Sequence, residues 1–546
     1  MSALDRGVAE MNELRARTEA TDVPESLGEF VRSRAETHGD KLVAKWFEEG
    51  EELTYRSLHE KANRLASSLV RKGVRKGTHV AVMLPNVAAF PLTWIALGRI
   101  GAVLVPVNTA YTPEEVSFVV NDSDAQFVIV DAEYADTVRQ MPRRPQMLAD
   151  ANIIVRGAGD DHGPSWERLV EEGDVAFQPP SAVTRTDLLN LQYTSGTTGF
   201  PKGCMLTHDY WMLIAHCAAF FRGRDGEVKN VLIWAPFFYM DPMWQFLMTM
   251  ALGGTAHVAR RMSLTRFYDW LKRYEIHYCI FPEPALKQQA RGDADKELSL
   301  KYVSIYGWRA DARREVEERF GVTAREGYGM TEIGSATIMP PSAGHMAYER
   351  TCGLAAPFRE LKICDEAGNE VPVNEVGELW VAGRALLWGY YKRPEANAES
   401  FRGRWFRTGD LFRRDENGYH FIVGRIKDMI KRGGENIAAN EVEAALRDLP
   451  EIEEAAVVPV PDPLRKEEVK AYLKLKEGLS SKDVPPEKVL AHCETRLARF
   501  KIPRYIAYIE GDFPRTPSRK IQKKQLIADV EDLRLGAFDR QDNCWR

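Results

Sequence analysis

The chain has little of what marks several protein classes. Its seven cysteines (Cys204, Cys217, Cys279, Cys352, Cys364, Cys493 and Cys544) are scattered over 546 residues with no Cys-x-x-Cys pair. That spacing speaks against a disulfide framework or a zinc site, and is expected of reduced thiols in a cytoplasmic protein. Positive charge is not in excess: 74 Lys and Arg face 79 Asp and Glu, for a formal net charge of −5. A dedicated nucleic-acid binder needs a net basic face, so no nucleic-acid partner is expected; a small basic pocket for a phosphorylated ligand stays compatible. Long apolar runs are missing too. The longest apolar region, FPLTWIALGRIGAVLVPVN from Phe90 to Asn108, is broken by Arg99 and by turn formers. A membrane span needs about 20 nearly uninterrupted apolar residues, so this stretch reads as a buried helix running into a buried strand. Residues 1–25 are charged throughout and lack an apolar core, which argues against a signal peptide. Neither a solenoid-period repeat nor a low-complexity tract occurs.

What is present is the balance of a soluble globular protein, 44% apolar and 28% charged. The length predicts two or more domains. Short β-branched runs, HVAVML (79–84), AVLVPV (102–107), QFVIVD (126–131), NVLIWA (230–235) and TAHVA (255–259), each suit a buried strand. Between several of them lie amphipathic segments such as SLHEKANRLASSLVRKG (57–73), with Leu58, Ala62, Leu65 and Leu69 on one stripe. This alternation predicts α/β layers with mostly parallel sheets. From about residue 360 the texture turns to short strands, LKICDEAGNEV, GELWVAG and GYHFIVGR, which predicts a β-rich subdomain closing the large N-terminal part. A charged, Gly-containing segment at 424–443 precedes a compact α+β unit, with EAAVVPV and EVKAYLKLK as strands and EKVLAHCETRLA as a helix. The expected division is 1–424 and 429–546, with 425–428 between them.

One loop stands apart from any core requirement. YTSGTTGFPKGCMLTH, Tyr193 to His208, gathers glycines, small hydroxyls and a lysine. Such a loop lets backbone N–H groups and hydroxyls converge on an anion, with Lys202 adding positive charge. The P-loop pattern fails, because Pro201 precedes Lys202 and Gly203 follows it.

The order Thr-Ser-Gly-Thr-Thr-Gly-x-Pro-Lys-Gly resembles the signature of the adenylate-forming superfamily: acyl-CoA synthetases, luciferases and peptide-synthetase adenylation domains. Further elements agree in order. LPNVAAFPLTWIALGRIGAVLVPVN resembles the family's early core motif, GYGMTE (327–332) its Tyr-Gly-x-Thr-Glu element, and GELWVAG (377–383) and WFRTGD (405–410) the next two. GRIKDMIKRGGENI (424–437) resembles the hinge motif and PRTPSRKIQKKQL (514–526) the C-terminal lysine motif, so the likeness covers roughly residues 28–527. The wording lies closest to the carnitine and crotonobetaine CoA ligase-like branch. The resemblance implies an AMP-forming acid–CoA ligase using ATP, Mg²⁺ and CoA. The acid would give acyl-AMP and pyrophosphate, and CoA would then give acyl-CoA and AMP.

The resemblance also implies roles. Thr194, Ser195, Gly196, Thr197, Thr198, Gly199 and Lys202 would hold the β- and γ-phosphates, and Thr194 and Glu332 the Mg²⁺. Gly327, Tyr328, Gly329 and Thr331 would border the nucleotide, with Tyr328 stacked on adenine. Asp410 and Arg425 would hold the ribose. Taken alone, Glu332 is a solvated loop carboxylate and Asp410 a turn residue after Gly409. Lys520 would offset both negative charges as carboxylate meets α-phosphate, although Arg515, Arg519, Lys520, Lys523 and Lys524 also read as a solvated basic run. Arg519 stands where the family usually has glycine. Lys427 would be the hinge. Lys431, Gly433, Gly434 and Glu435 would meet CoA, with Ala438-Ala439-Asn440-Glu441 departing from the usual proline. In the acyl pocket Tyr239 takes the place of the family's histidine, beside Gly329. Trp308 and Arg309 would narrow that pocket or bind a second polar group, with Arg309 facing solvent as the alternative. An adenylating enzyme that loads a carrier protein is the nearest rival. No carrier domain follows the lysine motif in this chain, so free CoA is favoured; a degenerate acyl-adenylate-binding member is the other rival. The identity of the acid and the oligomeric state are not legible.

Overall fold

Strand His79–Met83 buries every residue but its first, and Phe127–Asp131 buries all five. Strands sealed on both faces belong in parallel sheets covered by helices. The computed structural model describes all residues except 1–2, 158–163, 195–200, 224–225, 290, 309, 348, 350, 433–434, 516–519 and 529. It sets these strands in a six-stranded sheet ordered Ile153–Arg156, Phe127–Asp131, His79–Met83, Val103–Pro106, Leu188–Thr194, Lys202–Thr207. Every pair is parallel except the last. A seven-stranded sheet runs Thr323–Arg325, Tyr302–Ser304, Tyr278–Ile280, Asn230–Ile233, Thr255–Val258, Leu42–Trp46, Glu51–Thr54, and again only the final pair is antiparallel. All five β-branched runs therefore form strands.

The chain divides into two compact units. One comprises Met1–Leu361, Val381–Phe406 and Asn417–Tyr419; the other comprises Lys362–Trp380, Arg407–Glu416 and His420–Arg546. In the first, helix Ala89–Ile100 is buried on all sides, as a core helix with no polar face must be. It runs into strand Val103–Pro106, as expected of the longest apolar stretch. Helix Tyr55–Arg71 buries Leu58, Ala62, Leu65 and Leu69. It starts two residues before the predicted 57–73 because Thr54 caps it: its hydroxyl accepts from Ser57 N at 3.0 Å while Ser57 Oγ accepts from Thr54 N at 2.8 Å.

In the second unit a β-rich part draws on strands Arg359–Cys364, Gly377–Gly383, Trp405–Arg414 and His420–Arg425. The rest is a sheet in the order Glu435–Ala438, Met429–Arg432, Lys466–Leu475, Tyr505–Tyr508, Phe538–Asp539, Cys544–Trp545, with Ile452–Asp462 also paired to Lys466–Leu475. Helix Ala439–Arg447 lays Val442, Ala445 and Leu446 onto Val457, Val469, Leu473 and Ile506. All seven cysteines are free thiols, six of them buried. Among the described residues no helix is long and apolar enough to cross a membrane.

His208 joins two helices of the first unit. It opens helix His208–Arg222, and its Nδ1 accepts from Leu27 N, the first residue of helix Leu27–His38, at 3.1 Å. Burial lowers its pKa to about 4, and does the same for His59 and His257. Each folded value lies below the ordinary 6.5, so unfolding takes up a proton between the two. The stabilisation is complete above pH 6.5 and is lost as pH falls towards 4, by about 3 kcal/mol for the sealed His208 and by less for the more exposed His59. His208→Asn, whose amide oxygen can accept the Leu27 N–H, is expected to shallow this loss by about one proton, read from denaturant unfolding across that pH range.

Candidate active site

The two ends of the Ser/Thr/Gly loop are fixed by strand pairing. Strands Leu188–Thr194 and Lys202–Thr207 run antiparallel, with Thr194 opposite Lys202. Both residues are half-buried. Ser195, Gly196, Thr197, Thr198 and Gly199 lie outside the described residues. Next to Thr194 in sequence, Tyr193 Oη donates to Asp122 at 2.8 Å, and Arg393 donates to the same carboxylate at 2.6 Å.

The other side of the Lys202 strand is zipped to residues 388–391. Met205 N donates to Gly389 O at 3.0 Å, Trp388 N to Met205 O at 2.9 Å, and Tyr391 N to Gly203 O at 2.9 Å. Gly389 has φ +139°, a conformation side chains rarely adopt, and an added Cβ would come within 3.0 Å of Asn397 Oδ1. That amide closes on the next residue from both sides: Tyr390 N donates to Asn397 Oδ1 at 2.7 Å, and Asn397 Nδ2 donates to Tyr390 O at 3.0 Å. Tyr390 is thereby aimed. Its Oη donates to Glu332 Oε1 at 2.9 Å, and Lys202 Nζ sits 4.8 Å over its ring.

Glu332 is only 7% exposed. Its backbone carbonyl accepts from Leu387 N at 2.8 Å, and the preceding carbonyl, of Thr331, accepts from Tyr210 Oη at 2.8 Å. The buried Cys204 thiol is pushed well up by burial and by the Glu332 charge, while a hydrogen bond to Thr194 works the other way. Thr194, Lys202, Cys204, Glu332 and Tyr390 thus form one cluster. The glycines of GYGMTE belong to a tight hairpin, Gly327–Met330 against Gly334–Ile338. A Cβ on Gly327 would lie 2.6 Å from Thr337 O, and one on Gly329 2.4 Å from Gly334 O. Tyr328 is half-buried, with its N–H donating to Thr337 Oγ1 at 3.1 Å.

Just before this hairpin, Glu326 ion-pairs with Arg313, and both side chains are nearly sealed. Burial raises the Glu326 carboxyl and the Arg313 charge opposes it. Glu326 Oε1 accepts from Gly307 N at 2.7 Å, and Arg313 Nε donates to Trp308 O at 3.0 Å, so the pair holds the 306–308 turn. Trp308 itself is 6% exposed and packs edge-on to Phe281 at 5.9 Å, within the core. Arg309 lies outside the described residues. Tyr239 is half-buried at the start of helix Met240–Ala251, and its Oη accepts from Asn108 Nδ2 at 3.4 Å.

In the second unit, antiparallel strands place Asp410 opposite Arg425, and Arg425 Nε meets Asp410 Oδ1 at 2.9 Å. Asp410 is buried and Arg425 half-buried. The Arg-Thr-Gly-Asp turn is built on Glu378. Its Oε1 accepts from Gly409 N at 3.0 Å, and its Oε2 accepts from Trp380 Nε1 and Arg407 Nε, each at 2.9 Å. Gly409 has φ +71°, the left-handed region that favours glycine. Lys427, Lys431 and Glu435 are exposed, the last two on paired strands Met429–Arg432 and Glu435–Ala438. Gly433 and Gly434 lie outside the described residues, as does Arg519. Lys520 is exposed, next to an antiparallel bridge between Arg515 and Ile521. Two of its basic neighbours have carboxylate partners: Arg515 pairs with Glu454 at 2.5 Å and Lys523 with Glu443 at 2.6 Å.

Sequence reading missed the residues that aim these groups: Tyr390, Asn397, Glu378 and the Arg313–Glu326 pair. The first two signals lay in GYYKRPEANAES, a Gly-Tyr-Tyr turn followed by a Pro-initiated helix, and Glu378 lay inside a motif already noted for its strand.

A buried carboxylate, Glu332, linked through Tyr390 to the lysine that follows a Ser/Thr/Gly segment, is chemically compatible with a site for a phosphorylated ligand. The chain belongs to the AMP-binding enzyme family: residues 31–391 match the AMP-binding enzyme profile and residues 441–520 its C-terminal domain. It is 30% identical over 519 residues to the crotonobetaine/carnitine–CoA ligases of Citrobacter koseri and Salmonella agona, covering 92% of this chain and 99% of each relative. Solved structures share the fold. The ATP-bound MatB of Rhodopseudomonas palustris superposes with a TM-score of 0.79 at 25% identity, covering 91% of this chain and 98% of its own. The anthranilate CoA ligase AuaEII with anthranoyl-AMP gives 0.81 at 23% identity, covering 94% and 98%.

Glu378→Ala leaves Gly409 N, Trp380 Nε1 and Arg407 without their acceptor. It is expected to cost about 2–4 kcal/mol in denaturant unfolding, with Glu378→Gln retaining part of that.

Proposed function

We propose that this chain joins a small-molecule carboxylic acid to CoA through an acyl-adenylate. The observation that carries the reading is the Lys202–Tyr390–Glu332 arrangement, in which one phenol bonds a buried carboxylate and carries on its ring the lysine that follows the Ser/Thr/Gly segment. Joining a carboxylate to the α-phosphate of ATP brings two anions together, so positioning and charge neutralisation supply most of the catalysis. A carboxylate oxygen attacks the α-phosphorus, and the bond to pyrophosphate breaks. In the second step the CoA sulfur attacks the acyl carbon and AMP leaves.

Within this reading Thr194, Ser195, Gly196, Thr197, Thr198, Gly199 and Lys202 hold the leaving pyrophosphate. Gly327, Tyr328, Gly329 and Thr331 border the adenine and α-phosphate. Asp410 accepts from the ribose hydroxyls, while Arg425, already bonded to Asp410, fixes that carboxylate's orientation. The oxygens of Glu332 and Thr194 fit Mg²⁺, a hard cation that takes one or two carboxylates and keeps phosphate oxygens and waters. Mg²⁺ held there would neutralise charge on the phosphates. Lys520 offsets the two anions in the first step. Lys427, within 425–428, serves as the hinge between segments 1–424 and 429–546. Lys431, Gly433, Gly434 and Glu435 meet CoA in the second step. Tyr239, Gly329 and the 306–309 turn border the acyl group, with Trp308 backing that turn from the core.

The test is incubation with ATP, Mg²⁺ and a panel of carboxylic acids, with and without CoA, following pyrophosphate, AMP and thioester. Acid-dependent AMP with thioester supports the ligase. Pyrophosphate exchange that never yields a CoA thioester favours a carrier-protein acceptor, and no acid-dependent turnover favours a degenerate binder. Lys520→Ala is expected to slow adenylation by about a hundredfold or more, and thioester formation from preformed acyl-AMP far less; equal losses contradict its role. Tyr390→Phe removes a hydrogen bond to a buried carboxylate and is expected to raise KM for Mg·ATP roughly tenfold.

A further inference from the structure

Arg222 ends helix His208–Arg222 and is 7% exposed. A buried guanidinium is ordinarily paired with a carboxylate, because an uncompensated charge away from water costs several kcal/mol. Of the other buried arginines of this unit, Arg319 bonds Asp295 at 2.8 Å, and Arg313 and Arg325 pair with Glu326 and Glu317. Arg99 and Arg359 instead donate to backbone carbonyls, the first to those of Gly28 and Phe177, the second to those of Ile333, Phe358 and Arg384. Arg222 has no carboxylate partner among the described residues. Its Nε donates to Ser304 Oγ at 3.1 Å, and its guanidinium carbon lies 4.9 Å over the Trp244 ring. Tyr306 hydrogen-bonds it as well, and Tyr278 shares Ser304 Oγ at 2.8 Å. These partners are neutral. The phenols of Tyr278, Tyr302 and Tyr306 are all pushed up by burial, so they do not ionise to neutralise the charge. Asp241 lies close enough to Tyr306 to raise its phenol, but it takes a bond from Trp244 Nε1 at 3.0 Å and forms no ion pair with Arg222 among the described residues.

The surroundings locate the cation. Trp244 is in the second turn of the helix that Tyr239 precedes, and Tyr306 is the first residue of the turn held by Glu326 and Arg313. Tyr306 is 43% exposed, so this hydrogen-bond partner of the guanidinium reaches the surface. The guanidinium therefore stands between the two segments assigned above to the acyl group. It sits inside an aromatic surround of Trp244, Tyr278, Tyr302 and Tyr306, of the kind that would otherwise take a quaternary ammonium.

We propose that Arg222 is the specificity-determining residue for the acid, and that the acyl group carries a second anionic oxygen group, a carboxylate, which pairs with the guanidinium beside Tyr306. The inference rests on the ligase reading and deepens it. A guanidinium presents five N–H donors in a planar fork matched to a carboxylate, and its visible acceptors here are the hydroxyls of Ser304 and Tyr306. A substrate dianion supplies the missing charge. A neutral tail leaves the cation uncompensated, and a trimethylammonium tail meets like charge where the aromatic surround is already filled.

The test compares three tails at matched length, methyl, carboxylate and trimethylammonium, on straight-chain acids and on benzoates. The reading is acid-dependent pyrophosphate release by wild type, Arg222→Met and Arg222→Lys. Wild type is expected to prefer the dicarboxylic acid of one matched set at least tenfold in kcat/KM. Arg222→Met is expected to reduce that preference by about tenfold to a hundredfold, chiefly through KM, and Arg222→Lys to keep part of it. If Arg222→Met does not fold, Arg222→Lys and Tyr306→Phe carry the comparison, each expected to lower the same ratio. A wild-type preference for methyl or trimethylammonium tails overturns the inference and leaves the ligase reading standing. So does a dicarboxylate preference unchanged in every folded variant. No pyrophosphate release with any acid overturns the ligase reading and this inference with it.

Discussion

The hydrogen bond from Tyr390 to Glu332 is the contact on which the first unit's candidate site depends. A carboxylate sealed to 7% exposure needs a fixed donor, since low dielectric makes an unmet acceptor expensive and a met one strong. Tyr390 can supply that donor only if its backbone is held. Gly389 provides the unusual conformation, Asn397 grips the amide and carbonyl of Tyr390 from both sides, and the adjoining residues zip onto strand Lys202–Thr207. The same strand starts at Lys202, whose ammonium rests on the Tyr390 ring. One phenol therefore ties the loop's lysine to the carboxylate of GYGMTE, two elements 130 residues apart in sequence.

The second unit uses the same logic with a different centre. Glu378 accepts from the Gly409 amide, the Trp380 indole and the Arg407 guanidinium, and so shapes the turn that presents Asp410. Strand register then brings Arg425 to the Asp410 carboxylate. In both units a carboxylate proposed to meet ligand is oriented by a partner that local motif reading passes over. Arg222 is a buried charge that, among the described residues, meets side-chain hydroxyls and an aromatic face instead of a carboxylate.

Much of the fold was legible because burial leaves a simple trace. Strands such as Phe127–Asp131 are sealed on both faces and read as unbroken β-branched runs, and helix Tyr55–Arg71 shows its stripe plainly. The helix ends were less legible, since Thr54 acts by a side-chain bond and leaves no periodic signal. The chemistry-bearing loops were legible through the resemblance: Thr194, Lys202 and Glu332 do come together, and so do Asp410 and Arg425. Trp308 is sealed against Phe281, while the more exposed neighbour in its turn is Tyr306. Side-chain direction within Tyr306-Gly307-Trp308 is set by the Arg313–Glu326 clamp from other elements, which local pattern does not contain. Tyr390, Asn397, Glu378 and Arg222 escaped for the same reason, because their roles come from partners distant in sequence.

The account's central claim is that Glu332, oriented by Tyr390, holds a divalent cation on ATP. Electron paramagnetic resonance of Mn²⁺ with ATP tests it most directly, because it reads cation binding without turnover. The account predicts one protein-bound Mn²⁺·ATP per chain, nearly abolished in Glu332→Gln and weakened about tenfold in Tyr390→Phe. Binding of equal affinity in all three proteins would contradict it.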